Sequence, residues 1–134
     1  MKPIKLTIDG LNSFETKQSL DFSALSGGVF GIFGKTGSGK STILDAITLS
    51  LYGEVERSKQ KVDFINTKCQ KAEVSLEFEI FTAGKNRLFE VVRTFSKRKN
   101  GIESTAELFE IENGETVEHK QKQADPIEVE FKAV

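Results

Sequence analysis

The sequence predicts an α/β fold, and three observations predict it. Val29-Phe30-Gly31-Ile32-Phe33 is apolar on both faces, as a strand in the middle of a sheet requires. A glycine-rich loop follows, and then the period turns helical, with Ile43, Leu44, Ile47 and Leu51 recurring at three- and four-residue spacing. From Ala72 onward Val74, Leu76, Phe78 and Ile80 alternate with Glu73, Ser75, Glu77 and Glu79, the two-residue period of a half-buried strand.

The remaining elements follow in order. Ile4, Leu6 and Ile8 alternate with polar residues, which predicts a strand with Pro3 at its mouth. Asp9-Gly10 and Asn12-Ser13 mark a turn, and Ser19–Phe22 a second strand with Leu20 and Phe22 on one face. Leu25-Ser26-Gly27-Gly28 is a turn into the apolar strand. The helix is expected from about Gly39 to Tyr52, with Ala46 and Leu49 widening its apolar stripe and Gly53 stopping it. Residues 54–71 are charged and irregular, with a helical turn near Val62–Ile65. Ala83-Gly84-Lys85-Asn86 closes a hairpin onto a return strand, Leu88–Phe95. Ser96–Gly101 is a basic turn, Thr105–Ile111 a third strand, Glu112–Glu115 a tight turn, and Val117 opens a short fourth strand. The expected grouping is a mixed sheet around the helix 39–52, and an antiparallel subsheet of 72–82, 87–95 and 105–111.

Composition narrows the function. The 134 residues fit one domain, and 37% apolar content with 11 Phe fits a globular chain. With 19 Lys+Arg against 20 Asp+Glu, no global field attracts nucleic acid or membrane, so any anion site is local. Cys69 and His119 are the lone cysteine and histidine, which excludes an internal disulfide and a zinc site of these ligands. No apolar run approaches the ~20 residues that span a bilayer. Met1-Lys2-Pro3 opens no signal peptide, and a cytoplasmic location is expected.

Gly34-Lys35-Thr36-Gly37-Ser38-Gly39-Lys40-Ser41 spells a phosphate-binding P-loop in its required place, after an apolar strand and before an amphipathic helix. Gly34, Gly37 and Gly39 let successive backbone N–H groups turn inward on one phosphate. The helix that follows offers its free N–H groups and positive dipole end to the same anion. Lys40 can reach the β- and γ-phosphates, the Ser41 hydroxyl can enter the shell of Mg²⁺, and Thr42 can add an α-phosphate contact. Asn66-Thr67-Lys68-Cys69 loosely resembles the guanine-reading tetrad of small GTPases but lacks its acidic fourth residue, so GTP specificity is not supported. Cleavage needs a further carboxylate after an apolar run. None of the Asp residues at 9, 21, 45, 63 and 125 stands in that place downstream of the loop, and Asp45 lies one helical turn past Ser41. No catalytic residue is therefore assigned, and the chain by itself is expected to bind ATP without hydrolysing it.

Beyond the P-loop, four runs narrow the resemblance: Leu11-Asn12-Ser13-Phe14, Leu20-Asp21-Phe22-Ser23, Ser41–Ile47 with its Asp45-Ala46-Ile47, and Leu49–Gly53 with its Leu51-Tyr52-Gly53. Together they are similar to the start of the SbcC family, large subunits of bacterial DNA-repair nucleases and relatives of the SMC proteins. Arg57 and the Ala72–Ile80 strand also match. The resemblance implies the N-terminal lobe, over residues 1–118, of an ABC-type P-loop ATPase head, with coiled coil in the full-length protein. It implies ATP and Mg²⁺ as cofactors, Asn12 and Ser13 near the nucleotide, and Gly34 to Thr42 on its phosphates. The implied partners are a complementary C-terminal lobe, a second head, an SbcD-type nuclease, and DNA. Residues 119–134 form a polar tail outside the resemblance, and Gln121 and Gln123 lack the family's glutamine-loop context. A lobe of RecF-like or transporter type, or a nucleotide-binding module without turnover, stands as the alternative. Lys97, Arg98 and Lys99, with Lys85 and Arg87 nearby, form a candidate DNA contact.

Overall fold

The computed structural model describes residues 1–23, 40–53, 64–82 and 84–119. The elements are β1 (Lys2–Asp9), β2 (Gln18–Asp21), α1 (Lys40–Tyr52), β3 (Lys71–Thr82), β4 (Lys85–Arg98), β5 (Gly101–Glu112) and β6 (Glu115–His119). The strands make one six-stranded sheet in the order β2-β1-β3-β4-β5-β6, every neighbouring pair antiparallel. The Val29–Phe33 strand and the Leu25–Gly28 turn lie outside the described residues.

The expected subsheet is thus larger than its sequence pattern suggested, because β1 and β2 join it. The alternation of β1 brings Leu6 opposite Leu76 and Ile8 opposite Val74, so its apolar face continues that of β3. Leu6, Leu76, Val91 and Leu108 form one row across four strands, each at most 1% exposed. β4 is also longer than the apolar run predicts. Lys97 and Arg98 pair with Ile102 and Gly101, so the basic turn shrinks to Lys99 and Asn100. At the next hairpin Asn113 and Gly114 both have positive φ, 53° and 78°, the left-handed pair that a two-residue turn between twisted strands requires.

α1 runs over the apolar face and meets β3 and β4. Its buried residues are Thr42, Ala46, Leu49, Ser50 and Leu51; the predicted stripe therefore holds at Ala46, Leu49 and Leu51, whereas Leu44 is 58% exposed. The physical reason is size. Ala46 and Ser50, both fully buried, let the helix lie close to the sheet, while Ile43 and Ile47 flank that line half-buried. Large exposed hydrophobics among the described residues include Leu44 and Tyr52 of α1, so apolar exposure falls on the helix as well as on Phe81 near the end of β3 and Val117 in β6.

Arg93 of β4 fixes the carboxyl end of α1. Its guanidinium is 1% exposed, yet it donates from Nε to the Ser50 carbonyl at 2.7 Å and from Nη2 to the Leu51 carbonyl at 3.3 Å. The last turn of α1 carries no basic residue of its own, so the positive charge that helix ends favour there comes from another strand. Gly53, with φ 79°, ends the helix as predicted and donates its N–H to the Leu49 carbonyl at 2.8 Å.

The opposite face of the sheet is acidic. Glu77 and Glu90 stand directly across β3 and β4 from each other, with Lys5 opposite Glu77 on β1. Burial first, and then the Glu90 charge, push the Glu77 carboxyl above its ordinary 4.5, with Asp21 adding to the rise and Lys5 opposing it.

Candidate nucleotide-binding site

α1 begins at Lys40, one residue after the start expected near Gly39. Gly34, Lys35, Thr36, Gly37, Ser38 and Gly39 lie outside the described residues, and of Lys40 the backbone alone is described. Ser41 is exposed in the first turn, where a hydroxyl can reach a metal ion. No acidic residue occupies that turn, so no carboxylate competes with a phosphate for the helix dipole. Thr42 is buried, 6% exposed. Asp45 is half-buried farther along α1.

The turn after β1 reaches this end of the helix. Gly10 has φ 69°, and a side chain on it would collide with the Lys71 carbonyl, so only glycine lets the chain leave β1 against β3. Leu11, 1% exposed, bridges to both Phe14 and Ile65. Asn12 sits at φ 48°, donates its N–H to the Phe64 carbonyl at 2.7 Å, and directs Nδ2 at the Thr42 hydroxyl at 3.5 Å. Asn12 and Thr42, thirty residues apart in sequence, therefore meet at the amino end of α1. Ser13 is exposed in the same turn.

Sequence reasoning missed Asn66. Its backbone N–H goes to the Gly10 carbonyl at 2.8 Å and its Nδ2 to the Asn12 carbonyl at 2.6 Å. An Asn in a polar stretch announces a turn but not which distant loop it binds. Cys69 is a half-buried free thiol close to the Glu15 carbonyl. Arg57, Gln121 and Gln123 lie outside the described residues. One expected grouping fails: Lys85 and Arg87 stand at the start of β4 and Arg98 at its end, on the order of 35 Å from Arg87 at the strand rise per residue. Arg87 instead forms a two-pronged ion pair with the buried Glu110, at 2.7 and 2.8 Å, and lies over the Phe89 ring.

Among the described residues, a sheet with one helix across it, whose amino end follows the P-loop sequence and receives the turn after β1, defines the N-terminal lobe of an ABC-like P-loop ATPase. The chain belongs to the AAA domain family, whose model matches residues 5–132. It is similar to the SbcC subunit of the SbcCD nuclease of Clostridium acetobutylicum, 59% identical over 81 residues, which cover 60% of this chain and 7% of that protein. Among solved structures it resembles the SMC head domain of Thermotoga maritima, with 28% identity and a TM-score of 0.53 over 87% of this chain and 39% of that one. The recombination mediator RecF in its ATP form shares the fold, with a TM-score of 0.62 and 19% identity over 92% of this chain and 29% of that one. The likeness to SbcC carried by the short motifs thus recurs over a longer stretch of chain. The chain spans less than a tenth of the SbcC relative's length.

Proposed function

We propose that this chain is the ATP-binding N-terminal lobe of a nuclease subunit that processes DNA breaks and hairpins. The observation that carries the reading is the meeting of Asn12 with Thr42 at the amino end of α1, since both belong to the motifs that narrow the P-loop to the SbcC family. The amides that open α1, the Lys40 ammonium and the Ser41 hydroxyl would hold the polyphosphate and its Mg²⁺. The exposed Ser41 and the absence of acidic residues in the first turn fit that group. Mg²⁺ would draw charge from the phosphate oxygens, while the chain's own part is to bind and orient. The groups that cleave ATP would come from a complementary lobe, and closure of two heads on bound ATP would govern an SbcD-type nuclease acting on DNA in the cytoplasm. A RecF-like or transporter-type lobe would bind nucleotide in the same way, and differs in having no coiled coil between its halves.

The test is titration calorimetry with Mg-ATP on the full-length protein and its Lys40→Ala variant. Saturable heat in the first and a loss of at least about tenfold in affinity in the second are expected for a lysine on the phosphates. Identical behaviour of the two proteins refutes the site.

A further inference from the structure

We propose that Asn66 is a positioning residue for the nucleotide site: its Nδ2–H, donated to the Asn12 carbonyl, holds the turn after β1 in the conformation that sets the Asn12 side chain at the first turn of α1. The proposal rests on the reading of that end of α1 as an ATP site.

Three hydrogen bonds tie the turn at residues 10–12 to the segment 64–66. Two run between backbone groups, Asn12 N–H to Phe64 O and Asn66 N–H to Gly10 O, and most residues would supply them. The third, Asn66 Nδ2 to Asn12 O at 2.6 Å, needs a side-chain donor of this length. Its orientation is settled by the other end of the same amide, because Oδ1 accepts the Lys68 N–H at 2.9 Å. An amide fixed at its oxygen by a local turn thus presents its nitrogen to a carbonyl 54 residues away in sequence.

That carbonyl belongs to a residue with positive φ. Asn12 has φ 48°, a left-handed conformation that asparagine adopts more readily than other non-glycine residues but that still competes with negative φ unless its neighbours hold it. Removal of the donor leaves the Asn12 carbonyl without this bond and lets the residue relax toward negative φ. The side chain then swings away, and the 3.5 Å approach of Nδ2 to the Thr42 hydroxyl is broken. Asn66 touches no residue of α1 in any of these bonds, so its effect on that end of the helix runs through Asn12. The Asn66–Cys69 stretch accordingly acts on the site through the turn after β1 and not as a reader of the base.

The experiment is Mg-ATP calorimetry on the full-length protein with Asn66→Asp, Asn12→Ala, the double variant and Lys40→Ala. Asn66→Asp keeps the acceptor for the Lys68 N–H but sets oxygen against the Asn12 carbonyl. It is expected to weaken Mg-ATP binding about tenfold, the worth of one hydrogen bond at a site of this kind. The double variant is expected to bind no worse than Asn12→Ala alone, since the two residues act in series. Asn66→Ser keeps an oxygen for Lys68, cannot reach Asn12, and should show the same loss if the Asp variant fails to fold. Wild-type affinity in both Asn66 variants, or losses that multiply in the double variant, overturns the proposal, and a lowered melting temperature with unchanged affinity does so too. If Lys40→Ala loses binding while the Asn66 variants keep it, the positioning role alone falls. If Lys40→Ala binds like the wild type, the ATP site falls and takes the positioning role with it.

Discussion

Replacing Arg93 with Met should destabilise the fold by about 3 kcal/mol, and the figure follows from what the guanidinium holds. Two hydrogen bonds to helix-end carbonyls disappear, one at 2.7 Å and one at 3.3 Å. Bonds from a charged donor contribute roughly 1.5–3 kcal/mol each, and the longer one belongs at or below the lower limit. The favourable charge at the helix carboxyl end adds up to about 2 kcal/mol in a partly buried setting. Against these stands the desolvation cost of a cation at 1% exposure, which the Met variant escapes. Met fills a similar volume, so little cavity energy enters. A chain of 134 residues has an unfolding entropy of about 0.28 kcal/mol/K, so a destabilisation of about 3 kcal/mol lowers the melting temperature by about 10 °C. Arg93→Lys keeps the charge but not the paired donors, and is expected to lose about half as much. Thermal unfolding followed by circular dichroism reads all three proteins. Amide exchange should also quicken at Gly53, whose N–H closes the last turn onto Leu49. An Arg93→Met protein that melts within about 2 °C of wild type would refute the capping argument.

Two further outcomes follow from the acidic face and the basic tip. The Glu77 carboxyl is raised above 4.5 in the folded state, so it binds its proton more tightly there than in the unfolded chain. Its contribution is most favourable below that ordinary value and is lost as pH rises through the folded one. Glu77→Gln should therefore raise the melting temperature near neutral pH and give no gain once both states are protonated, and a gain of equal size at about pH 3 would contradict the assignment. Reversing Lys97, Arg98 and Lys99 to Glu in the full-length protein should weaken DNA binding and flatten its salt dependence, the slope falling by roughly 0.9 for each phosphate no longer neutralised. Arg98 already pairs with Glu103 at 2.7 Å, so Lys97 and Lys99 should carry most of the effect, and an unchanged salt slope removes the tip from the DNA surface.

Local pattern made most of the sheet legible. Strict alternation in β1 and β3, the Asn113-Gly114 pair and Gly53 each place an element through interactions within a few residues. What stayed hidden depends on partners distant in sequence. The alternation of β1 shows which residues are buried but not that β3 lies beside it, because any strand of matching period could pair there. The buried stripe of α1 runs through Thr42 and Ser50, two polar residues whose burial depends on close approach to the sheet and not on their own hydropathy. Arg93 lies in a strand rich in apolar residues and reads as a chance exposed charge until the helix end above it is known. Asn66 is the same case at the site itself.

These hidden interactions share a purpose in the fold. α1 is one helix of 13 residues, and each of its ends is met by a side chain from elsewhere in the chain. Asn12 reaches its first turn from the β1 turn, and Arg93 reaches its last turn from β4. Neither group is needed to form a helix, since the propensity and the apolar packing of residues 40–52 suffice for that. They fix instead where the helix lies along the sheet, and with it the position of the amides that open it. Backbone N–H groups that hold a phosphate cannot adjust as the Lys40 and Ser41 side chains can, so their accuracy is that of the helix itself. Two long-range polar interactions at the ends of α1 are the economical way to obtain it. The one at the carboxyl end is expected to act on stability, and the one at the amino end, on the proposed reading of the site, on nucleotide affinity.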